Sequence, residues 1–324
     1  MKKTLLFLAA ALLVAVSCNT KEDKTDNKDT SLQTPSLEQY AFKTDIKDKP
    51  NIPLPTSGKP DGSKWNEGSE SQIDPNAKNG NLKGIETMND GTWNADIEAK
   101  DANGDPGDYK FSGSFEIQGQ KVSVGDIYNM TGWGTLAVTK LNGSEIGFSF
   151  TPVAGGDPIM LNGTLASAIS GDASLLKDLS RTWKVEKTLI TVTSETLTAG
   201  IGGEYTGCDI PAIANDLKNK GLNIDADKAN YKVSKVALSK YGTVKIYLDN
   251  GEILKGSIQD GKLNGNDFNY KFDIYDNNNP ILSVEGKGSV KVVKGKLNLS
   301  LSGSLKDKAG KAYNAEVKFI LVYE

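Results

Sequence analysis

Several short stretches of this chain carry residue types at spacings that could do chemistry. Asp101, Asn103, Asp105 and Asp108 set oxygen donors at near-alternate positions, the donor set that calcium takes. Pro106 stands where a calcium loop turns on glycine, and Ser112 where it ends on a bidentate glutamate. Gly, Pro, Asn and Asp also build hairpin loops, and that reading is preferred, with calcium as the alternative. Ser174 and Lys177 have the serine-x-x-lysine spacing that puts an amine one helical turn from a hydroxyl. No Lys-Thr-Gly follows on a later strand, so the match reads as chance. Gly200, Ile201, Gly202, Gly203 and Gly207 precede a helical segment, where backbone amides can cradle phosphate. No lysine pattern and no dinucleotide spacing accompany them, so they read as a strand-to-helix crossover. Tyr128 and Trp133 flank Asn129-Met130-Thr131-Gly132, which reads as a loop, and are expected to form a contact surface able to stack on sugar rings. Trp93 and Trp183 are expected in the core, since aromatics bury large areas.

Composition excludes whole classes of mechanism. The chain has 324 residues and no histidine. That removes Ser-His-Asp and Cys-His catalysis and histidine-ligated zinc. A general acid or base would have to be Asp, Glu, Lys or Tyr. The only cysteines are Cys18 and Cys208, so no thiolate cage forms, and Cys208 reads as a buried apolar residue. A formal net charge of −3 offers no overall reason to bind nucleic acid. No cofactor is expected.

The N-terminus speaks of location. Lys2 and Lys3 lead an apolar run from Leu5 to Val16, followed by Ser17 and Cys18. This is an export signal over residues 1–17, too short to span a bilayer. The cysteine after Ser17 resembles the bacterial lipobox, which implies acylation of Cys18 and a membrane partner. Lys21-Glu22-Asp23 is similar to the export tag of Bacteroidota surface lipoproteins, implying the outer membrane and surface exposure; it also reads as a solvated charge run. Residues 18–80 are polar and broken by Pro53, Pro55, Pro60 and Pro75, and read as a flexible linker spanning roughly 40–45 Å as a coil. Tyr40, Phe42 and Trp65 are the residues there able to dock on a folded part.

The elements that must position these groups begin near Gly80. Trp93, Ala95, Ile97 and Ala99 alternate with polar residues, and so do Tyr109, Phe111, Gly113, Phe115 and Ile117, which predicts a hairpin with one buried face. Further strands are expected at 121–127, 132–141, 144–152 and 159–168. A helix over 172–181 is capped by Asp172, and a second over about 210–220 carries Pro211 in its first turn and stops at Gly221. About eight strands follow Arg181. Asp249-Asn250-Gly251 is a hairpin signal, since both central residues must accept positive φ. The fold is therefore mainly β, with an N-terminal small β-sandwich or barrel over 81–170 and a second β domain over 173–324.

Leu179-Ser180-Arg181-Thr182-Trp183-Lys184-Val185 resembles the short helix, bend and tryptophan that open the first strand of lipocalin-like domains. The order that follows fits too: a helix to Lys220-Gly221-Leu222, then Ser239-Lys240-Tyr241-Gly242-Thr243-Val244, Gly251 to Gly256 and Gly261-Lys262-Leu263. This is similar to the lipocalin-like lipoproteins of unknown function in Bacteroidota. The resemblance covers 173–324 and implies an up-and-down β-barrel with an apolar interior and a short helical insertion. Arg181 stands where lipocalins carry glycine. The family brings no catalytic residues.

The functional expectation is a non-enzymatic, lipid-anchored envelope protein. It would hold a small apolar or amphiphilic ligand in the C-terminal barrel or present a contact surface. One alternative is a structural or adaptor subunit partnered with an envelope protein. Another is a glycan hydrolase with two carboxylates about 5–9.5 Å apart.

Overall fold

The computed structural model describes residues 37–55, 73–74, 76–118, 122–194, 200–222, 232–249, 253–276, 279–306 and 312–323. Residues 1–17, Cys18, the Lys21-Glu22-Asp23 run, Trp65 and the Asn250-Gly251 turn lie outside them. The chain forms two compact units, one from Leu37–Ala168, the other from Ile169–Ile274 and Leu282–Glu324.

The first unit is built from β1 (Phe42–Ile46), β2 (Asn51–Pro53), β3 (Asn79–Thr87), β4 (Thr92–Lys100), β5 (Pro106–Gln118), β6 (Ile127–Met130), β7 (Gly134–Asn142), β8 (Glu145–Pro152) and β9 (Ile159–Leu165). Consecutive antiparallel neighbours run from β3 to β9, and β1 pairs with both β3 and β9. The result is a closed eight-stranded barrel, with β2 added along β3. Closure leaves no unpaired barrel edge.

Alternation decides what fills it. Along β4, Trp93, Ala95, Ile97 and Ala99 point inward while their neighbours stay wet, as the period of two requires. Tyr109, Phe111 and Phe115 do the same on β5. Trp93 stacks on Trp133 with centroids 4.8 Å apart, and Trp133 meets Phe150 at 4.8 Å. Phe42 lies 5.3 Å from both Tyr128 and Phe148. Each such pair adds roughly 0.5–1.5 kcal/mol beyond area burial.

Three expectations change here. Residues 37–55 are not linker: a 3-10 turn at Leu37–Tyr40, β1 and β2 belong to the barrel, and Phe42 and Ile46 sit in its core. The charged Lys43 and Asp45 mask this in the sequence, because they take the outward positions between Phe42, Thr44 and Ile46. The domain therefore starts near Leu37 rather than at 81. The strand expected at 121–127 is instead β6, starting at Ile127. Asn162-Gly163 sits mid-strand in β9.

The second unit holds β10 (Thr182–Thr193), β11 (Ile201–Thr206), β12 (Val233–Leu238), β13 (Thr243–Leu248), β14 (Ile253–Ile258), β15 (Asp267–Asp276), β16 (Asn279–Val293), β17 (Lys296–Lys306) and β18 (Ala312–Tyr323). Strands β12 to β18 follow one another, and β10 closes the ring between β12 and β18. Again eight strands close and a ninth, β11, flanks β10.

The helix Ala173–Leu179 starts where the Asp172 carboxylate accepts from the Leu175 N–H at 2.8 Å. Trp183 follows, fully buried, and stacks on Tyr323 at 4.7 Å. Arg181 also lies over that ring, its guanidinium carbon 4.6 Å from the Tyr323 centroid. An arginine at this position thus makes a cation–π contact with Tyr323. The second helix, Ile210–Asn219, buries Ile210, Ile213, Ala214 and Leu217 on one face, with Pro211 in its first turn.

Candidate functional site

The site is a groove of about 460 Å³ on the N-terminal barrel, and its lining includes Asn51, Asn76, Asn79, Asn81, Glu98 and Pro106. Sequence reasoning had placed most of it in the linker.

Three elements make it. Asn51 on β2, Asn81 on β3 and Glu98 on β4 lie in one row, since Asn51 pairs with Asn81 and Asn81 with Glu98 in the strand registers. Their side chains form a chain across that row. Asn51 Nδ2 donates to Asn81 Oδ1 at 3.2 Å, and Asn81 Nδ2 donates to Glu98 Oε1 at 3.4 Å. The second wall is the segment leading into β3. The Asp74 N–H donates to the Lys100 carbonyl oxygen at 2.9 Å, tying that segment to the end of β4. The Asp74 carboxylate accepts from Asn76 N at 2.8 Å and holds a tight turn. The Leu54 N–H donates to the Lys78 carbonyl oxygen at 2.8 Å, fixing the return. Ala99 and Gly80 also line the groove.

The groove is thus bordered by side-chain amides, the carboxylates of Asp74 and Glu98, and lysines Lys78 and Lys100. Amides both donate and accept, and each has more capacity than the internal chain uses. The signal available in the sequence was Asn79 and Asn81 at alternate positions, with Asn76 just before them.

The loop weighed for calcium forms the neighbouring hairpin. Asp101 is buried, and its carboxylate accepts from the Asn103 and Asp105 N–H groups at 2.8 and 2.9 Å. Asp108 pairs instead with Lys83 at 2.8 Å, across strands. The Asp101 and Asp108 carboxylates are thus engaged by the protein, and no group of three or more His, Cys, Asp or Glu side chains able to hold a metal ion occurs among the described residues. The hairpin braces the groove through Lys100 and Pro106.

Tyr128 and Trp133 do not form a contact surface. Their relative exposures are 0% and 2%. The stretch read as a loop is β6 with its turn, and alternation sends Tyr128 and Met130 inward. Tyr128 Oη donates to the Tyr40 carbonyl oxygen at 3.2 Å, and Trp133 Nε1 donates to the Pro53 carbonyl oxygen at 2.9 Å. Both polar tips are satisfied inside, as buried Tyr and Trp require.

The remaining chemical motifs serve structure. Ser174 and Lys177 are both exposed on their short helix. Gly202 lies on β11, where an added Cβ would sit 1.8 Å from the Ile190 carbonyl oxygen, so the glycine permits close strand approach. The helix after it already has an anion at its start: the Asp209 carboxylate accepts from the Ala212 N–H at 3.1 Å and pairs with Lys232 at 2.6 Å. Cys208 is buried, and that burial pushes its thiol up to about 12.

No family model matches the sequence, and no curated protein matches it. Among solved structures, the chain aligns with the vaccine antigen Transferrin Binding Protein B from Haemophilus parasuis Hp5. For a double mutant of that protein the identity is 9% and the TM-score 0.23, covering 76% of this chain and 55% of that one. For a single mutant the values are 9%, 0.22, 75% and 54%. Intact Ap-TbpB, with N and C lobes, aligns at 9% identity and a TM-score of 0.21, covering 75% of this chain and 55% of that one. The chain spans about half the length of these structures.

Proposed function

We propose that this chain is a lipid-anchored envelope protein that binds a hydroxyl-rich partner, a glycan segment, in the groove of its N-terminal barrel, and performs no bond-breaking chemistry. The observation that carries this is the hydrogen-bonded row Asn51–Asn81–Glu98 lining an open groove of about 460 Å³. Sugar hydroxyls need partners that donate and accept at close spacing, and amides interleaved with a carboxylate supply both. A binding role is further supported by where the chemistry-bearing residues went: Asp101, Asp209 and Cys208 are committed to turns, a helix cap and a core.

An outer groove also has more behind it than a ligand held inside a barrel. Trp93, Trp133, Phe148 and Phe150 pack within the N-terminal barrel. Within the C-terminal one, Trp183, Phe268, Tyr270 and Phe319 join a single core cluster among the described residues. The tether rests on the export signal and Cys18, and stable anchoring takes more than one acyl chain.

Two experiments test the two halves. Radiolabelled palmitate should enter the wild type and not Cys18→Ser, and the variant should move from the membrane to the soluble fraction. A variant that stays in the membrane fraction overturns the anchor. The Cys18→Ser protein is then run through native gels loaded with dextran, mannan or β-glucan. Retardation by at least one of them, lost in Asn81→Ala/Glu98→Ala, is expected. Migration unchanged by every polysaccharide, or retardation that survives the double change, overturns the groove.

A further inference from the structure

The C-terminal barrel distributes its charge unevenly. Strands β10, β18, β17 and β16 lie side by side, and their registers bring outward residues into rows. One row runs Lys187, Ile320, Asn298, Lys291. The next runs Leu189, Lys318, Ser300, Ser289, and the third Thr191, Glu316, Ser302, Lys287. Burial confirms the facing: Leu297, Leu299 and Leu301 on β17 and Val317, Phe319 and Leu321 on β18 are the inward set.

Two lysines of this face are neutralised. Lys187 pairs with Glu204 and Lys296 with Glu186, each at 2.6 Å. Lys184, Lys287, Lys291 and Lys318 engage in no ion pair among the described residues. Glu316 is the carboxylate set in their midst, and its burial disfavours the ionised form against the pull of Lys318. The whole protein is net acidic at −3, so this concentration of positive charge is a local arrangement.

The pattern within the face is specific. Asn298, Ser300 and Ser302 form an uncharged hydrogen-bonding column on β17. Lys318 stands one strand away on one side, Lys287 and Lys291 one strand away on the other, at about 4.8 Å per strand step. A column of small polar side chains with Lys318 on one flank and Lys287 and Lys291 on the other suits an extended, hydroxylated chain bearing negative groups at intervals.

We propose that this face binds an anionic polysaccharide laid along β17. Its lysines supply the long-range attraction and its serines the short contacts. An anionic bilayer would be held instead by lysines beside aromatic anchors, and the rows contain no aromatic residue. The site lies on the other unit from the groove and is independent of it.

The test uses the full-chain Cys18→Ser protein with dextran sulfate as probe and neutral dextran as control, by titration calorimetry. Dextran sulfate should bind and weaken by roughly tenfold or more between 50 and 200 mM salt, as screened multivalent charge contacts do. The triple change Lys287→Gln/Lys291→Gln/Lys318→Gln should lose about tenfold or more in affinity and most of the salt slope. A matched triple on the N-terminal barrel, Lys47→Gln/Lys110→Gln/Lys140→Gln, should retain both. Equal loss in the two triples, or no binding to dextran sulfate, overturns the proposal. Binding to phosphatidylglycerol vesicles with none to the soluble polymer overturns it in favour of a lipid surface. Thermal melts of each variant keep unfolding from passing as lost affinity. Retained groove binding in the β17-face triple separates this result from the groove reading.

Discussion

Trp133 donates its indole N–H to the carbonyl oxygen of Pro53, 2.9 Å away. The bond ties the turn before β7 to β2, a strand that a reading of composition leaves in a linker. Pro53 has no N–H of its own, so its oxygen is the backbone polar group that it offers, beside the buried Ile52 side chain of the same strand. Trp133→Phe should keep most of the ring packing and leave that oxygen unpaired. The expected loss is about 1–3 kcal/mol in urea unfolding of the N-terminal barrel. An unchanged midpoint would mean that water replaces the indole without cost.

Gly113 lies against the Trp93 ring. A Cβ there would sit 2.9 Å from Nε1 and 3.0 Å from two ring carbons. Trp93 is stacked on Trp133 and has nowhere to yield. Gly113→Ala should cost about 1–3 kcal/mol by overpacking, read as a lowered melting temperature. The same change at exposed Gly155, where φ is +81° and nothing lies within 4 Å, separates backbone strain from crowding.

Asp209 caps the second helix and pairs with Lys232. That hydrogen-bonded pair holds the Asp209 carboxyl below its ordinary 3.8, aided by the Ala212 N–H and opposed by desolvation. Asp216 is lowered likewise, first by Lys220 and then by the Tyr205 hydroxyl. A lowered folded-state value means stability that is fully present above the unfolded value and lost as pH falls through the folded one. Urea midpoints of the C-terminal barrel should therefore hold above about pH 4 and drop below it. Asp209→Asn keeps the cap and should cost little; Asp209→Ala should cost about 1 kcal/mol more. Equal costs would mean that the ion pair, not the cap, matters.

Cys208 is sealed in the core with its thiol pushed up to about 12 by burial. In the Cys18→Ser protein it is the remaining thiol. A disulfide reagent at mildly alkaline pH should leave the native protein unlabelled and label it fully in denaturant. Rapid native labelling would show that this part of the barrel opens readily.

Much of the fold was legible because alternation and capping are local. Asp172, Pro211 and the Trp93 to Ala99 series needed only their neighbours to be read. What was missed depends on pairing between distant segments. Lys43 and Asp45 make β1 look like solvent-exposed chain until β3 and β9 take its two edges. The Asn129 to Gly132 stretch has turn residues, yet its ends carry two side chains that the barrel draws inside. The groove stayed hidden for the same reason, since Asn51, Asn81 and Glu98 meet only through strand register. The basic face of β16, β17 and β18 is likewise a product of register, invisible in a net charge.

Each barrel makes its opening strand serve also as its seam. Asp45 finds Gly84 early but must wait for Thr164, and Trp183 must wait for Tyr323. A chain that emerges front end first therefore carries a half-zipped ribbon whose last edge is open until the final strand arrives. Bonds between such distant positions form slowly. During that interval the exposed strand edges are what a holding factor would have to cover, and strand β1 or β10 is where a misfolded pair of molecules would exchange partners.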